Sequence, residues 1–162
     1  MNPPPDPRSA NRPIEILLVE DNPDDVELTL KAFERSPVPS QIVVASDGEE
    51  ALDFLFARGL HAGRDVTHVP DVVLLDLKLP KVDGIEVLRQ MRADAHTRHI
   101  PVVILTSSRE QRDLVATYDL GANSYVQKPV DFGEFMAAAH QIGVYWLDVN
   151  QVPPLGTLPE PG

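Results

Sequence analysis

Short apolar runs alternate with stretches of helical spacing along most of the 162-residue chain. Five short runs rich in Ile, Leu and Val have the length and composition of strands. Between them, apolar side chains recur three and four positions apart. Asn22-Pro23 is typical of a helix start, and Gly59 and Gly121 are typical of helix ends. The predicted strands are 14–19, 41–45, 72–76, 102–106 and 123–127, and the predicted helices are 23–35, 49–58, 84–92, 109–120 and 131–149.

The alternation of strand and helix predicts the fold class. The strands at 72–76 and 102–106 are apolar on both faces, so neither has a side suited to water. Alternating βα units with such strands imply a parallel sheet covered by helices on both sides. Five repeats of the unit predict a doubly wound α/β fold, in which ligands bind outside the carboxyl ends of the strands.

Proline marks the edges of the predicted domain. Of 16 prolines, five lie in 1–13 and four in 153–162. Segments of this kind favour extended, solvated backbone and offer little apolar surface to bury. We therefore expect one domain over 14–150 between Pro-rich tails at 1–13 and 151–162, and no second domain that would carry an output activity.

The composition disfavours several classes of function. The 25 acidic and 14 basic residues give a net charge of −11, which disfavours binding to nucleic acid or to acidic membrane surfaces. The chain has no cysteine, so thiol catalysis, disulfides and Cys-based zinc sites are excluded. No apolar run approaches the roughly 18 residues of a membrane span. Because the N-terminus also lacks the apolar core of a signal peptide, we expect a cytoplasmic protein.

Polar residues stand at the ends of four predicted strands, where a doubly wound sheet binds its ligands. Glu20 and Asp21 follow the first strand, and Asp76 ends the third. Thr106 ends the fourth strand, and Lys128 follows the fifth. Carboxylates brought together repel one another, and a hard cation such as Mg²⁺ relieves that repulsion. An aspartate beside Mg²⁺ can attack phosphorus, and a hydroxyl and an ammonium suit the phosphoryl oxygens, so the pattern favours phosphoryl transfer.

Four stretches of the sequence resemble the receiver domains of two-component response regulators. They are VEDNPDD, LLDLKLPKVDG, IPVVILT and SYVQKP, and together they contain every strand-end residue named above. The resemblance implies a flavodoxin-like, five-stranded parallel sheet of order 2-1-3-4-5 with five helices on its two faces. EDNPDDVELTL near the start, with KPVDFGEF and YWL near the end, is similar to the stand-alone regulators paired with bacterial and cyanobacterial phytochromes.

The resemblance assigns a role to each acidic residue. Asp76 matches the phosphoacceptor, and Pro80 and Gly84 complete the family spacing D-x-x-x-P-x-x-x-G. Glu20 and Asp21 match the acidic pair that holds Mg²⁺, for which Mn²⁺ can substitute. Many receivers have two aspartates there, so Glu20 is a variant that we expect to bind through water. The backbone carbonyl of Lys78, two residues after the acceptor, matches a further metal ligand.

The resemblance also assigns the remaining polar positions and the partners. Thr106 matches the hydroxyl that follows the phosphoryl group, Lys128 the ammonium that pairs with it, and Tyr125 the aromatic switch position. The implied donor is a sensor histidine kinase of the bacteriophytochrome type. Output is expected through protein–protein contacts, as the phosphoryl group shifts one face of the domain between two populations.

Two other functions share parts of the pattern. An aspartate-nucleophile phosphatase also uses an acid at a strand end with Mg²⁺. Its second aspartate, two residues further on, is replaced here by Lys78, so a group to protonate the leaving group is missing. A receiver-like interaction module that is never phosphorylated is the other alternative, and Glu20 leaves it open. We expect a signalling protein that undergoes phosphorylation and dephosphorylation at one site, without enzymatic turnover.

The predicted helix at 131–149 carries an apolar stripe wider than one sheet face needs. Its side chains suit core packing covered by a tail, or a homodimer interface anchored by aromatic residues. The resemblance favours the dimer, because many phytochrome-type regulators pair through this region. The expected interface residues are Phe135, Ile142, Tyr145 and Trp146.

Overall fold

A five-stranded parallel sheet forms the centre of the fold. The computed structural model describes residues 13–35, 39–106 and 116–127, and for 106 and 124–127 it describes the backbone. The strand order is β2-β1-β3-β4-β5, with every neighbouring pair parallel. This confirms the predicted doubly wound sheet and its order. The strands are β1 Ile14–Val19, β2 Ser40–Ala45, β3 Val72–Leu75, β4 Val102–Thr106 and β5 Ser124–Gln127.

Each α-helix that lies wholly within the described ranges begins after a capping residue in the segment that follows the carboxyl end of a strand. The side chains of Asn22, Asp47 and Asp83 accept hydrogen bonds from first-turn N–H groups at 2.9, 2.8 and 3.1 Å. Such caps satisfy N–H groups that have no partner within the helix. None of the helices in the described ranges has the length and apolar character needed to cross a membrane. The helices are α1 Pro23–Glu34, α2 Gly48–Leu55 and α3 Gly84–Ala93, and residues 116–119 are also helical.

Helix α2 is shorter than the sequence predicted. The prediction extended it to Arg58 with Gly59 as its end, whereas α2 ends at Leu55. The physical reason is Ala57, whose φ of 53° lies in the left-handed region, which a right-handed helix excludes. A 3₁₀ turn then covers Gly59–His61. The predicted end was wrong by three residues because nothing in the local sequence marks Ala57 as a break.

The long connection from α2 to β3 is held by one arginine. The Arg64 guanidinium donates to the carbonyl oxygens of Phe54 and, at 2.7 Å, of His68. It also stacks over the Phe54 ring, with 3.7 Å between the guanidinium carbon and the ring centroid. Glu15, at the start of β1, accepts from the His68 ring at 2.7 Å. The connection is therefore tied to both α2 and the sheet.

Apolar side chains alternate between two layers on opposite faces of the sheet. Ile16 and Leu18 of β1 pack in the layer that contains Phe33 of α1. Leu17 and Val19 pack in the other layer, with side chains of α2 and α3. All four β1 side chains are at most 2% exposed, and burying each stabilises the fold by about 1.5–3 kcal/mol. The two layers confirm that helices cover both faces.

Several predictions fall outside the described residues and stay predictions. They concern most of both Pro-rich tails, the first part of the predicted helix at 109–120, and Lys128. The predicted C-terminal limit of the domain, at residue 150, is also among them. So are the helix at 131–149 and the dimer interface on it, formed by Phe135, Ile142, Tyr145 and Trp146.

Candidate metal and phosphoacceptor site

Three carboxylates meet at the carboxyl edge of the sheet. Strands β1 and β3 are neighbours, with Val19 paired to Leu75, so the residues that follow them emerge side by side. One carboxylate oxygen each from Glu20, Asp21 and Asp76 lies within 4.8 Å of the other two. The structure therefore brings together the three acids that the strand ends predicted.

Two of these three carboxylates are buried. Glu20 is 4% exposed and Asp76 is 6% exposed, whereas Asp21 is exposed. Burial and a neighbouring negative charge both disfavour the ionised form of a carboxyl group. Mg²⁺ and Mn²⁺ remove both penalties, because they bind carboxylate oxygens. The all-oxygen donor set therefore fits a hard divalent cation.

Backbone hydrogen bonds orient the two buried carboxylates. The N–H of Asp76 donates to the carbonyl oxygen of Val19 at 3.0 Å, which extends the β1–β3 ladder by one residue. Oδ1 of Asp76 accepts from the N–H of Lys78 at 3.2 Å, as in an Asx turn. Oε2 of Glu20 accepts from the N–H of Asn22 at 3.4 Å. Both acids are thus positioned by main-chain groups of the segments that follow them.

Gly84 lets helix α3 approach the backbone of Asp76. A Cβ atom at this first helical residue would lie 2.2 Å from the carbonyl oxygen of Asp76 and 2.7 Å from the Cα of Leu77. The Gly84 N–H donates to the carbonyl oxygen of Leu77 at 3.0 Å. The sequence marked Gly84 by its spacing from Asp76, but the reason for glycine is this close approach.

The segment between Asp76 and α3 also rests on the start of α2, a contact that sequence reasoning missed. A Cβ atom on Gly48 would lie 1.7 Å from the carbonyl oxygen of Val82. Lys81 has a φ of 66°, and its Nζ lies 3.6 Å from Oδ2 of Asp47. The sequence shows Gly48 next to a predicted helix start, but a glycine there does not indicate that the backbone of Val82 lies against it.

A groove of about 300 Å³ opens beside the acids. It lies between the end of β1, the segment after Asp76 and the first turn of α3. Lys78 is exposed on its wall. The role of the Lys78 carbonyl as a metal ligand stays a prediction. The lining residues include Asp21, Lys78, Pro80, Asp83 and Ile85.

The other predicted site residues are placed in part. Thr106 ends β4, the strand next to β3, so its backbone reaches the same edge as Asp76. Tyr125 lies within β5 and is paired with Ile104. Lys128 lies outside the described residues. The roles of the Thr106 hydroxyl, the Tyr125 ring and the Lys128 ammonium stay predictions.

Residues 16–140 match the family model described as "Response regulator receiver domain". The chain belongs to the response regulator receiver family. The matched range contains the whole acidic cluster, most of β1 and all of β3. Receiver domains bind a divalent metal at such a site, and the arrangement of Glu20, Asp21 and Asp76 agrees with this property.

Three similar proteins align with this receiver over most of their length. The probable methanogenesis regulatory protein FilR2 of Methanothrix harundinacea is 44% identical over 89% of this chain and 90% of its own. The Mn(2+)-bound response regulator Rcp1 of Synechocystis is 33% identical, with a TM-score of 0.82 over 88% of this chain and 100% of that one. The bacteriophytochrome response regulator AtBRR is 54% identical, with a TM-score of 0.67 over 86% and 99%. The relatives of this receiver thus include single-domain, phytochrome-associated response regulators.

Proposed function

We propose that this receiver is a stand-alone response regulator that accepts a phosphoryl group on Asp76 from a histidine kinase. The observation that carries the proposal is the convergence of Glu20 and Asp21 on a buried Asp76, with oxygens within 4.8 Å. Phosphoryl transfer depends on positioning and on neutralised charge more than on covalent chemistry. The site combines an oriented nucleophile with ligands for a cation.

The acids of the site would hold Mg²⁺. Glu20, Asp21 and Asp76 would supply carboxylate oxygens, directly or through water, and Lys78 would supply its backbone carbonyl. When bound, the cation supplies positive charge to the phosphoryl oxygens. Mn²⁺ is a suitable substitute because it takes the same oxygen ligands.

Asp76 would act as the nucleophile. One of its carboxylate oxygens forms an O–P bond with the phosphohistidine phosphorus, and the P–N bond breaks. The P–N electron pair stays on the imidazole nitrogen, which takes up a proton from solvent. The Lys78 N–H on Oδ1 limits the rotation of the carboxylate, and such positioning contributes to the rate of attack. Hydrolysis of the aspartyl phosphate restores Asp76 and releases phosphate, so the proposed cycle is signalling rather than turnover.

Residues in or next to β4 and β5 would respond to the negative charge of the phosphoryl group on Asp76. The Thr106 hydroxyl would move towards a phosphoryl oxygen, and the Lys128 ammonium would pair with another. The space that Thr106 leaves would be filled by the Tyr125 ring. This movement shifts the face around β5 between two populations, and the output is a changed affinity for a partner protein. We place this signalling in the cytoplasm, as the sequence predicted.

The donor would be a sensor kinase of the phytochrome type. The support is the 54% identity to AtBRR, which is described as a bacteriophytochrome response regulator. FilR2 points to a different signal, because it is described as a probable methanogenesis regulatory protein. Comparing transfer rates from a bacteriophytochrome kinase and from an unrelated histidine kinase tests this choice.

A homodimer through Phe135, Ile142, Tyr145 and Trp146 is part of the proposal. Light scattering with and without beryllofluoride tests it, and a monomer in both states contradicts it.

The central test compares two aspartate substitutions. Asp76→Asn is expected to abolish acid-labile phosphate after incubation with acetyl phosphate and Mg²⁺. The matched control is Asp24→Asn, which removes an exposed acid from the first turn of α1 and is expected to label like the wild type. Undiminished labelling of the Asp76→Asn protein would contradict the proposal.

A further inference from the structure

Arg92, in the last turn of α3, joins separate segments at the amino edge of the sheet. Its Nε donates to the carbonyl oxygen of Leu120 at 3.2 Å. Its Nη1 donates to the carbonyl oxygens of Arg98 at 3.0 Å and Ile100 at 2.9 Å. The guanidinium therefore links α3 to the connection before β4 and to the turn before β5.

The remaining donors of Arg92 bind the turn before β5 directly. Nη2 donates to the carbonyl oxygen of Gly121 at 2.9 Å and to Oδ1 of Asn123 at 3.4 Å. A guanidinium has five N–H donors in a fixed planar fork, and here each has an oxygen partner. Burial lowers the pKa of Arg92 below its usual value, but a guanidinium stays charged in proteins. A lysine has a single ammonium group, which could not donate hydrogen bonds to all five of these oxygens at once.

Asn123 connects Arg92 to the first pairing of β4 with β5. Its N–H donates to the carbonyl oxygen of Val102 at 2.9 Å, and its Oδ1 accepts from the Val102 N–H at 2.9 Å. The same Oδ1 is the atom that Arg92 contacts. The hydrogen bonds that set the start of β5 are therefore fixed by α3 through one guanidinium.

The register of β5 decides where the chain leaves the sheet. β5 has four residues and stands at the edge of the described sheet, paired with β4. A slip of one residue moves each position along the strand by about 3.3 Å and exchanges the two faces. Gln127 is paired with Thr106, and Lys128 follows directly in the sequence. A change of register would therefore move Gln127, the last described residue of β5, by about 3.3 Å from its place opposite Thr106.

We propose that Arg92 is a positioning residue for phosphoryl transfer, because it fixes the register of β5, the strand that directly precedes Lys128 in the sequence. The inference rests on the proposed function. Glu20, Asp21 and Asp76 follow β1 and β3, to which Arg92 makes no hydrogen bond among the described residues. Loss of the Arg92 contacts should therefore reduce the contribution of Lys128 and leave metal affinity unchanged.

The first experiment measures the protection of the β5 amide groups and the binding of metal in Arg92→Lys. The matched control is Arg89→Lys, on the same helix, where an exposed arginine pairs with Glu86. We expect faster amide hydrogen exchange at 124–127 in Arg92→Lys than in the control. The affinity for Mg²⁺, measured by titration calorimetry, should stay within about twofold of the wild type. Unchanged exchange in β5, or a fall in Mg²⁺ affinity that matches the fall in phosphorylation, would overturn the proposal.

The second experiment is a double-mutant cycle with Lys128→Ala, which isolates a coupling between two residues. Arg92→Lys alone should slow phosphorylation by acetyl phosphate by at least roughly 10²-fold, because a misplacement of about 1 Å already has that effect and a slip of one residue moves the strand by about 3.3 Å. In the Lys128→Ala background it should cause no further slowing. Equal slowing in both backgrounds would show that Arg92 acts on stability alone and would overturn the proposal.

Two controls separate the possible failures. If Arg92→Lys does not fold, Asn123→Ala removes the shared acceptor and is expected to give the same exchange, affinity and rate results. A wild-type protein that binds Mg²⁺ but accepts no phosphoryl group would refute the proposed function and the positioning role with it. Faster exchange at 124–127 would then still support the role of Arg92 in setting the register, and unchanged exchange would refute that as well.

Discussion

The substitution Gly84→Ala tests how closely α3 packs against Asp76, the proposed phosphoacceptor. Intrinsic helix propensity favours alanine over glycine by up to about 1 kcal/mol. The structure predicts the opposite sign, because the new Cβ would lie 2.2 Å from the carbonyl oxygen of Asp76 and 2.7 Å from the Cα of Leu77. Both are backbone atoms, so α3 and the end of β3 must move apart by about 1 Å to restore ordinary contact.

The expected cost of Gly84→Ala has two parts. Overpacking of this kind lowers the free energy of unfolding by about 1–3 kcal/mol. A displacement of about 1 Å at the acceptor slows the reaction by roughly 10²-fold. Urea unfolding measures the first part, and the rate of phosphorylation by acetyl phosphate at saturating Mg²⁺ measures the second.

The matched control for Gly84→Ala is Gly63→Ala. Gly63 has no heavy atom within 4 Å of its ideal Cβ position, so alanine should be accepted there without effect on the rate. A Gly84→Ala protein with wild-type stability and wild-type phosphorylation rate would refute the close-approach argument. Equal losses in both variants would show that general loss of glycine, rather than the contact with Asp76, is responsible.

Three further predictions concern the acidic cluster and its surroundings. Glu20→Gln removes a buried negative charge from the metal site, so calorimetry should show Mg²⁺ affinity reduced by about 10- to 100-fold. An unchanged affinity would exclude Glu20 from the site. Mg²⁺ at 100 times its dissociation constant should stabilise the protein by about 2.7 kcal/mol, seen as a higher melting temperature that EDTA reverses and that Asp21→Asn largely removes. Asn22→Ala removes the cap of α1 and should lower the free energy of unfolding in urea by about 1 kcal/mol, whereas no change would show that the cap is dispensable.

The strand ends could be predicted from the sequence because they follow from short-range patterns. The predicted β1 has the same bounds as the observed strand Ile14–Val19. The predicted β3 extended one residue further than the observed strand, to Asp76, which follows it directly. Parallel strands end at one edge of a sheet, so the convergence of Glu20 and Asp76 followed from strand order. The metal-site prediction thus depended on the order of elements rather than on any side-chain contact.

The contacts that support the site could not be predicted, because they join segments far apart in sequence. The helix dipole alone would favour an arginine such as Arg92 in the last turn of a helix, so its position gave no sign of a further role. In the structure Arg92 contacts the turn at Leu120 and Gly121, 28 and 29 residues away. The left-handed Ala57 ended α2 early without any glycine or proline. These features depend on packing around the sheet, which local propensity does not contain.

Phosphorylation of Asp76 is tested most directly by mapping the modified residue in the wild-type protein. After incubation with acetyl phosphate and Mg²⁺, borohydride reduction converts an aspartyl phosphate to homoserine, which peptide mass spectrometry locates. We expect homoserine at position 76 and none when EDTA is present. Modification at another carboxylate, or none at position 76 in a protein that binds Mg²⁺, would show that Asp76 is not the phosphoacceptor.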